Sequence, residues 1–170
     1  MTSSSTVREA DDTLSTVVGP TNIPGEIRRL TPLANLDYAD MFTVTTSAAK
    51  DKSPEEWARA GFEETPIARR FASVAWGILG LRLGPRHSPD YVHGWKIADR
   101  GEDWIRIETA SWYMPTHLVL YRDDRQASLV LFVRYDRPIA KLIWPLFAPG
   151  HRLAGSRLMA QVVRTRRRTV

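Results

Sequence analysis

His93, His117 and Tyr121 are the residues whose types and spacing could do chemistry. An imidazole titrates near neutral pH and serves as hydrogen-bond donor, acceptor or general base. His117, Val119 and Tyr121 occupy alternate positions, which in a strand share one face about 7 Å apart. On such a face Tyr121 would orient a ligand oxygen while His117 moves a proton. Leu118 and Leu120 compete for the inward face, and if they take it the polar pair is pushed outward. His93 and Trp95 form a second alternating pair. Facing a cavity, Trp95 is a flat wall and His93 a base for an enolisable substrate; facing outward, both are surface residues. Trp104, Arg106 and Glu108 make a third set, but Ile105 and Ile107 argue that Arg106 and Glu108 point outward as an ion pair.

Other chemistries are missing. The chain contains no cysteine, which excludes disulfides, thiolate catalysis and Cys-based metal sites. His87, His93, His117 and His151 follow no short metal-ligand spacing, so neither a metal nor a cofactor is expected. There is no phosphate-binding glycine loop, G-x-S-x-G elbow or H-E-x-x-H motif, and Gly77, Gly80 and Gly84 form no nucleotide fingerprint. What stands out instead is six tryptophans in 170 residues. Each combines a large apolar surface with one N–H donor. Trp76, Trp95, Trp112, Tyr113, Tyr135 and Trp144 are the candidate pocket-wall aromatics. Arg134, opposite Tyr135, belongs to the surface.

The elements that must position these residues follow from periodicity and punctuation. Residues 1–20, rich in Ser, Thr and acidic groups, read as a disordered leader. Residues 21–163 read as one domain, and 164–170 as a basic tail. A first strand runs around Tyr38 to Thr46. Ser53-Pro54-Glu55-Glu56 carries a cap, an N1 proline and a capping-box glutamate, opening a helix to about Glu63. Thr65-Pro66 opens a second, with Ile67, Phe71, Val74, Ala75 and Ile78 as its inward stripe. Strands are expected near Val92 to Ala98, Trp104 to Thr109, Thr116 to Arg122 and Ala127 to Tyr135, joined by tight polar turns. From Pro138 the pattern is helical, with Ile139, Leu142, Ile143 and Leu146 as one stripe, continued by Leu153, Leu158 and Val162. Pro145 and Pro149-Gly150 make this a kinked helix or two helices. The sum is an α+β domain with an antiparallel sheet covered on one face.

The net charge of +5 comes mostly from Arg164, Arg166, Arg167 and Arg168, which allow weak contact with acidic surfaces. No aromatic platform for a specific nucleic-acid partner lies beside them. No apolar run is long enough to span a membrane, and without cysteine or a secretory-type leader the expected location is the cytoplasm.

This element order resembles the START-like, or SRPBCC, helix-grip superfamily. Asp37-Tyr38-Ala39-Asp40-Met41-Phe42, Val92-His93-Gly94-Trp95, Val133-Arg134-Tyr135 and Trp144-Pro145-Leu146-Phe147 followed by His151-Arg152 are similar to the DUF2867-like group of actinobacterial proteins within it. The resemblance covers about residues 20–163. It implies a curved antiparallel sheet wrapped around a C-terminal helix, with two short helices after the first strand and a hydrophobic small molecule held between sheet and helix. It also draws attention to Asp40, which otherwise reads as a brace of the first strand. The chain departs from the pattern in offering five strands rather than six or seven, one being hidden around Ser111 to Met114, and in the prolines of its last helix.

The expectation is therefore a biosynthetic, cofactor-free enzyme of the cyclase type, acting on an apolar, polyketide-like substrate. His93 or His117 would be the base and Tyr121 or Tyr135 the oxyanion donor. The alternatives are a non-catalytic carrier or sensor of a hydrophobic metabolite or lipid, and a structural or interaction protein with tryptophans in an oligomer interface.

Overall fold

The computed structural model describes residues 13–63 and 66–166. Its centre is a seven-stranded antiparallel sheet in the order β1-β2-β7-β6-β5-β4-β3. The strands are β1 (Thr13–Val18), β2 (Tyr38–Thr45), β3 (Tyr91–Val92), β4 (Trp95–Arg100), β5 (Trp104–Ala110), β6 (Pro115–Arg122) and β7 (Gln126–Val133). The helices are α1 (Gly25–Arg28), α2 (Pro54–Glu63), α3 (Pro66–Ile78) and α4 (Ala140–Arg166). The α+β class, the two helices after β2 and the C-terminal helix are as the sequence led us to expect.

The two extra strands have local causes. β1, in the segment read as a leader, pairs with β2 along its whole length, from Thr13 opposite Thr45 to Val18 opposite Asp40. Its side chains are mostly exposed, so it is an edge strand held by backbone hydrogen bonds, and its polar composition disguised it. Residues 1–12 lie outside the described residues. The other strand arises because Val92 to Ala98 is not continuous. His93 and Gly94 have φ of +49° and +92°, the left-handed pair that a two-residue hairpin turn requires. Thus Val92 pairs with Trp95, and His93 is a turn residue. Ser111 to Met114, expected to hide a strand, is the turn between β5 and β6.

Period-two alternation splits the side chains between two faces. Phe42, Val44, Trp95, Ile105, Ile107, Leu118, Leu120, Leu129, Leu131 and Val133 form the inner layer beneath α2, the α3 end and α4. The outer face is also covered, contrary to the expectation of one bare face. Ile23, Ile27 and Leu33, on and beside α1, pack over Met41, Val119, Val130 and Phe132.

α2 starts as its sequence dictates. The Ser53 hydroxyl accepts from the Glu56 N–H at 3.2 Å, and Glu56 accepts from the Ser53 N–H at 2.6 Å, a closed capping box. Trp57 anchors the helix by donating from its indole to the Ala49 carbonyl at 3.0 Å. The Thr65 cap and the side chains of Ile67 and Phe71 lie outside the described residues. In the remainder of the α3 stripe Ala75 is half-buried, whereas Val74 and Ile78 are exposed. Trp76 takes the inward position because its ring fits edge-on against Trp95 at 5.7 Å.

α4 is one helix with Pro145 and Pro149 inside it, and it presents a different face from the expected stripe. Ala140, Trp144, Ala148, Gly155 and Met159 are buried, whereas Ile139, Leu142, Leu146 and Leu153 are exposed. Ala140, Ala148 and Gly155, the small members of this face, leave room for the helix to approach the sheet closely. At Gly155 the approach is extreme: a Cβ there would stand 2.5 Å from the Phe42 ring, and Phe42 is itself fully buried. Gly155→Ala should therefore destabilise the protein by about 2 kcal/mol despite its better helix propensity. Gly150→Ala, with open space around it, should gain up to about 1 kcal/mol. Urea unfolding of the pair checks the opposite signs.

Candidate functional site

Two segments distant in sequence meet where α4 crosses β2. Alternation along β2 puts Tyr38, Asp40 and Phe42 on the inner face, while Ala39 and Met41 face outward. On α4, Trp144, Ala148, His151 and Gly155 follow at spacings of four, three and four, so they line one side of the helix. His151 thus comes down onto Asp40.

The carboxyl of Asp40 is completely buried and bonded at both oxygens. Tyr38 donates its hydroxyl to Oδ2 at 2.7 Å, and His151 Nε2 lies 3.2 Å from Oδ1. With Asp40 accepting, Nε2 carries the hydrogen and Nδ1 is left as the basic nitrogen of the ring. Burial, with the neighbouring Asp40 charge second, raises the Tyr38 pKa far above the ordinary phenol value, so Tyr38 is a fixed donor to Asp40. Aromatic rings enclose the imidazole. Trp144 lies 5.8 Å from His151 and 5.2 Å edge-on from Tyr38, and Phe42 is 6.0 Å from His151. The Trp144 indole nitrogen is buried and has no hydrogen-bond partner among the described residues; the same holds for Trp95 Nε1. His151 keeps a quarter of its side chain accessible. The group consists of a carboxyl-braced imidazole reachable from outside and a buried indole donor beside it.

The residues singled out from sequence fall into separate places. His93, in its turn, joins Phe62, Trp76 and Trp95 in an aromatic cluster on the inner side, stacked 6.4 Å from Phe62 and 5.7 Å from Trp76. His117 and Tyr121 do share a face, but it is the outer one, because Leu118 and Leu120 take the inner layer. His117 is nevertheless buried under the α1 segment. Thr31 Oγ1 lies within hydrogen-bond distance of Nδ1, 2.9 Å, and accepts from the Leu33 N–H at 3.3 Å, while Nε2 lies 3.4 Å from Glu108. Tyr121 packs beside the α1 cluster. Arg106 and Glu108 face outward as expected. Arg106 donates to the Leu30 carbonyl at 2.8 Å and lies 3.9 Å from both Asp99 and Glu108.

Among the predicted wall aromatics, Trp144 belongs to the new group and Trp76 and Trp95 to the His93 cluster. Tyr113 is buried and donates to the Leu79 carbonyl at 2.9 Å. Trp112 is largely exposed in its turn, away from any inner wall. Tyr135 is half-buried beyond β7, its N–H bonded to Asp37 at 2.7 Å, and Arg134 pairs with Asp136 at the surface. An open groove of about 510 Å³ lies on the β3 to β6 side, lined by Arg82, Tyr91, Lys96, Glu108 and His117 among others. It is separated from the Asp40 group by the sheet.

Tyr38 and His151 were missed as site residues. The signal for them was the pair of segments Asp37 to Phe42 and Trp144 to Arg152, which carried the family resemblance without any catalytic spacing of their own. No group of three or more metal-ligating side chains occurs among the described residues, and no helix among them is long and apolar enough to cross a membrane. No family model, curated protein or solved structure matches the chain.

Proposed function

We propose that the chain is a helix-grip protein of the START-like kind, close to the DUF2867-like group. In this reading it is a cofactor-free enzyme of the cyclase or isomerase type, acting on an apolar substrate that carries an enolisable carbonyl. The observation that carries the reading is the Asp40–His151 pair with the unpartnered Trp144 indole beside it, between the sheet and the C-terminal helix.

The chemistry follows from the hydrogen bonds. Asp40 holds Nε2–H and so fixes the tautomer with Nδ1 basic; Tyr38 fixes Asp40 in turn. His151 Nδ1 takes a proton from the carbon next to the substrate carbonyl. The C–H bond breaks, an N–H bond forms on the imidazole, and the freed electron pair moves to the carbonyl oxygen. Trp144 Nε1–H, buried beside the ring, donates to that developing oxyanion. The anion then either takes the proton back from His151 at a conjugated carbon further along the substrate, which shifts the double bond, or its enolate carbon closes a ring on a second carbonyl, whose oxygen receives the proton. The imidazolium formed on the way is stabilised by Asp40.

A second reading, a carrier of an apolar metabolite, is favoured by the two buried indole donors, Trp95 and Trp144, which a ligand oxygen would satisfy without any reaction. Incubation with apolar 1,3-dicarbonyl and aryl ketone compounds in deuterated buffer separates the two. The enzyme reading expects deuterium uptake at the carbon beside the carbonyl, above the buffer rate and detected by mass spectrometry. Saturable binding of the same compounds without uptake would establish the carrier instead.

A further inference from the structure

α4 has a second face that the fold leaves uncovered. Leu142 is 73% exposed, Leu146 79% and Leu153 53%, with Ile139 also exposed at the start of the stripe. These positions, at spacings of three, four and seven, lie on the side of the helix opposite Trp144, Ala148, Gly155 and Met159. By helical rise the stripe runs about 20 Å along the axis. Large aliphatic side chains repeated in this way, rather than scattered singly, mark a surface that meets something apolar.

The charges state what that something is. All 19 Asp and Glu residues of the chain precede residue 137. From Arg137 onward the only ionic side chains are basic: Arg137, Lys141, Arg152 and Arg157, then Arg164, Arg166, Arg167 and Arg168. Arg137 and Lys141 are exposed at the head of the stripe, and Arg157 continues it one turn beyond Leu153. An apolar stripe on a helix whose own charged side chains are all cations fits the interface of an acidic bilayer, where leucines enter the acyl boundary and cations meet lipid phosphates. A second copy of the chain would bring the same cations face to face, which disfavours self-association through this helix.

We propose that the outer face of α4 docks on anionic phospholipid surfaces, lying in the plane of the interface. The proposal does not depend on the enzyme reading, since the docking face and the Asp40 group lie on opposite sides of the helix.

Sedimentation of the full chain with sucrose-loaded vesicles tests it. Vesicles of phosphatidylcholine containing phosphatidylglycerol should retain the protein at least about tenfold better than phosphatidylcholine alone, with the difference shrinking as salt is raised. The double variant L142D/L146D, altered only at exposed positions, should lower binding to the anionic vesicles by about tenfold or more at unchanged circular dichroism. Arg157→Glu should weaken it in the same direction. Absence of binding to anionic vesicles overturns the proposal, as does binding that L142D/L146D leaves intact. A dimer in light scattering that L142D/L146D abolishes, without vesicle binding, would assign the face to a second copy.

Discussion

Replacing Tyr38 by Phe and His151 by Leu together should cost the fold about 4 kcal/mol, and replacing Asp40 by Val in the same chain should return most of that loss. Asp40 has no accessible surface, and its two oxygens are bonded to Tyr38 and His151. Removing both donors leaves a buried carboxyl without them, the kind of change that destabilises by several kcal/mol. Removing the carboxyl as well eliminates the group that needed solvation. Urea midpoints at pH 7 with unchanged m-values would measure both steps. A double variant within about 1 kcal/mol of the parent would mean that the pair does not hold α4 to β2.

Acid should destabilise the protein through His117. Burial, reinforced by the Arg106 and Arg134 guanidinium groups, pushes the His117 pKa down to about 4 from an ordinary value of 6.5. Glu108 is close enough to favour the charged ring, but it is a third exposed and is shared with Arg106, so desolvation prevails. Between the two pKa values the unfolded chain binds the proton and the folded chain does not. Stability from this residue is therefore complete above about pH 6.5 and falls as the pH drops towards 4, by up to about 3 kcal/mol. His117→Gln should remove that slope. An equally steep loss over the same interval in His117→Gln would assign it to other groups.

The fold was legible where local chemistry and tertiary packing agreed. Ser53 to Glu56 specified a helix start, and Leu129, Leu131 and Val133 specified an inner strand face. It was not legible where apolar residues outnumber the places that can bury them. α4 carries Ile, Leu, Phe and Trp around most of its circumference, so periodicity selected the leucines, whereas the buried face runs through Trp144, Ala148 and Gly155, the last in close approach to Phe42. The His93-Gly94 turn was hidden for another reason, since positive φ is uncommon for any residue but glycine and the flanking alternation looked unbroken. The outer cover over His117 depends on pairing between residues 86 positions apart, which no local pattern records.

The candidate site was half legible on the same grounds. Trp144 and Asp40 drew notice, the first as an aromatic and the second through the resemblance, but neither has a chemical role until β2 and α4 are brought together. His151 figured only as one of four histidines without metal-ligand spacing and within a segment of the resemblance. Its partner lies 111 positions away. His117 and Tyr121 had the better spacing, and that spacing turned out to serve a braced outer layer.

The most direct measurement is the rate of deuterium uptake by an apolar ketone with the parent chain, His151→Ala and His117→Ala compared at equal folded fraction. Removal of a general base lowers such a rate by about a hundredfold or more, so we expect that loss in His151→Ala and a rate within about twofold of the parent in His117→Ala, whose side chain lies across the sheet from the site. An undiminished rate in His151→Ala, or a hundredfold loss confined to His117→Ala, would contradict the assignment of the chemistry to the β2 and α4 contact.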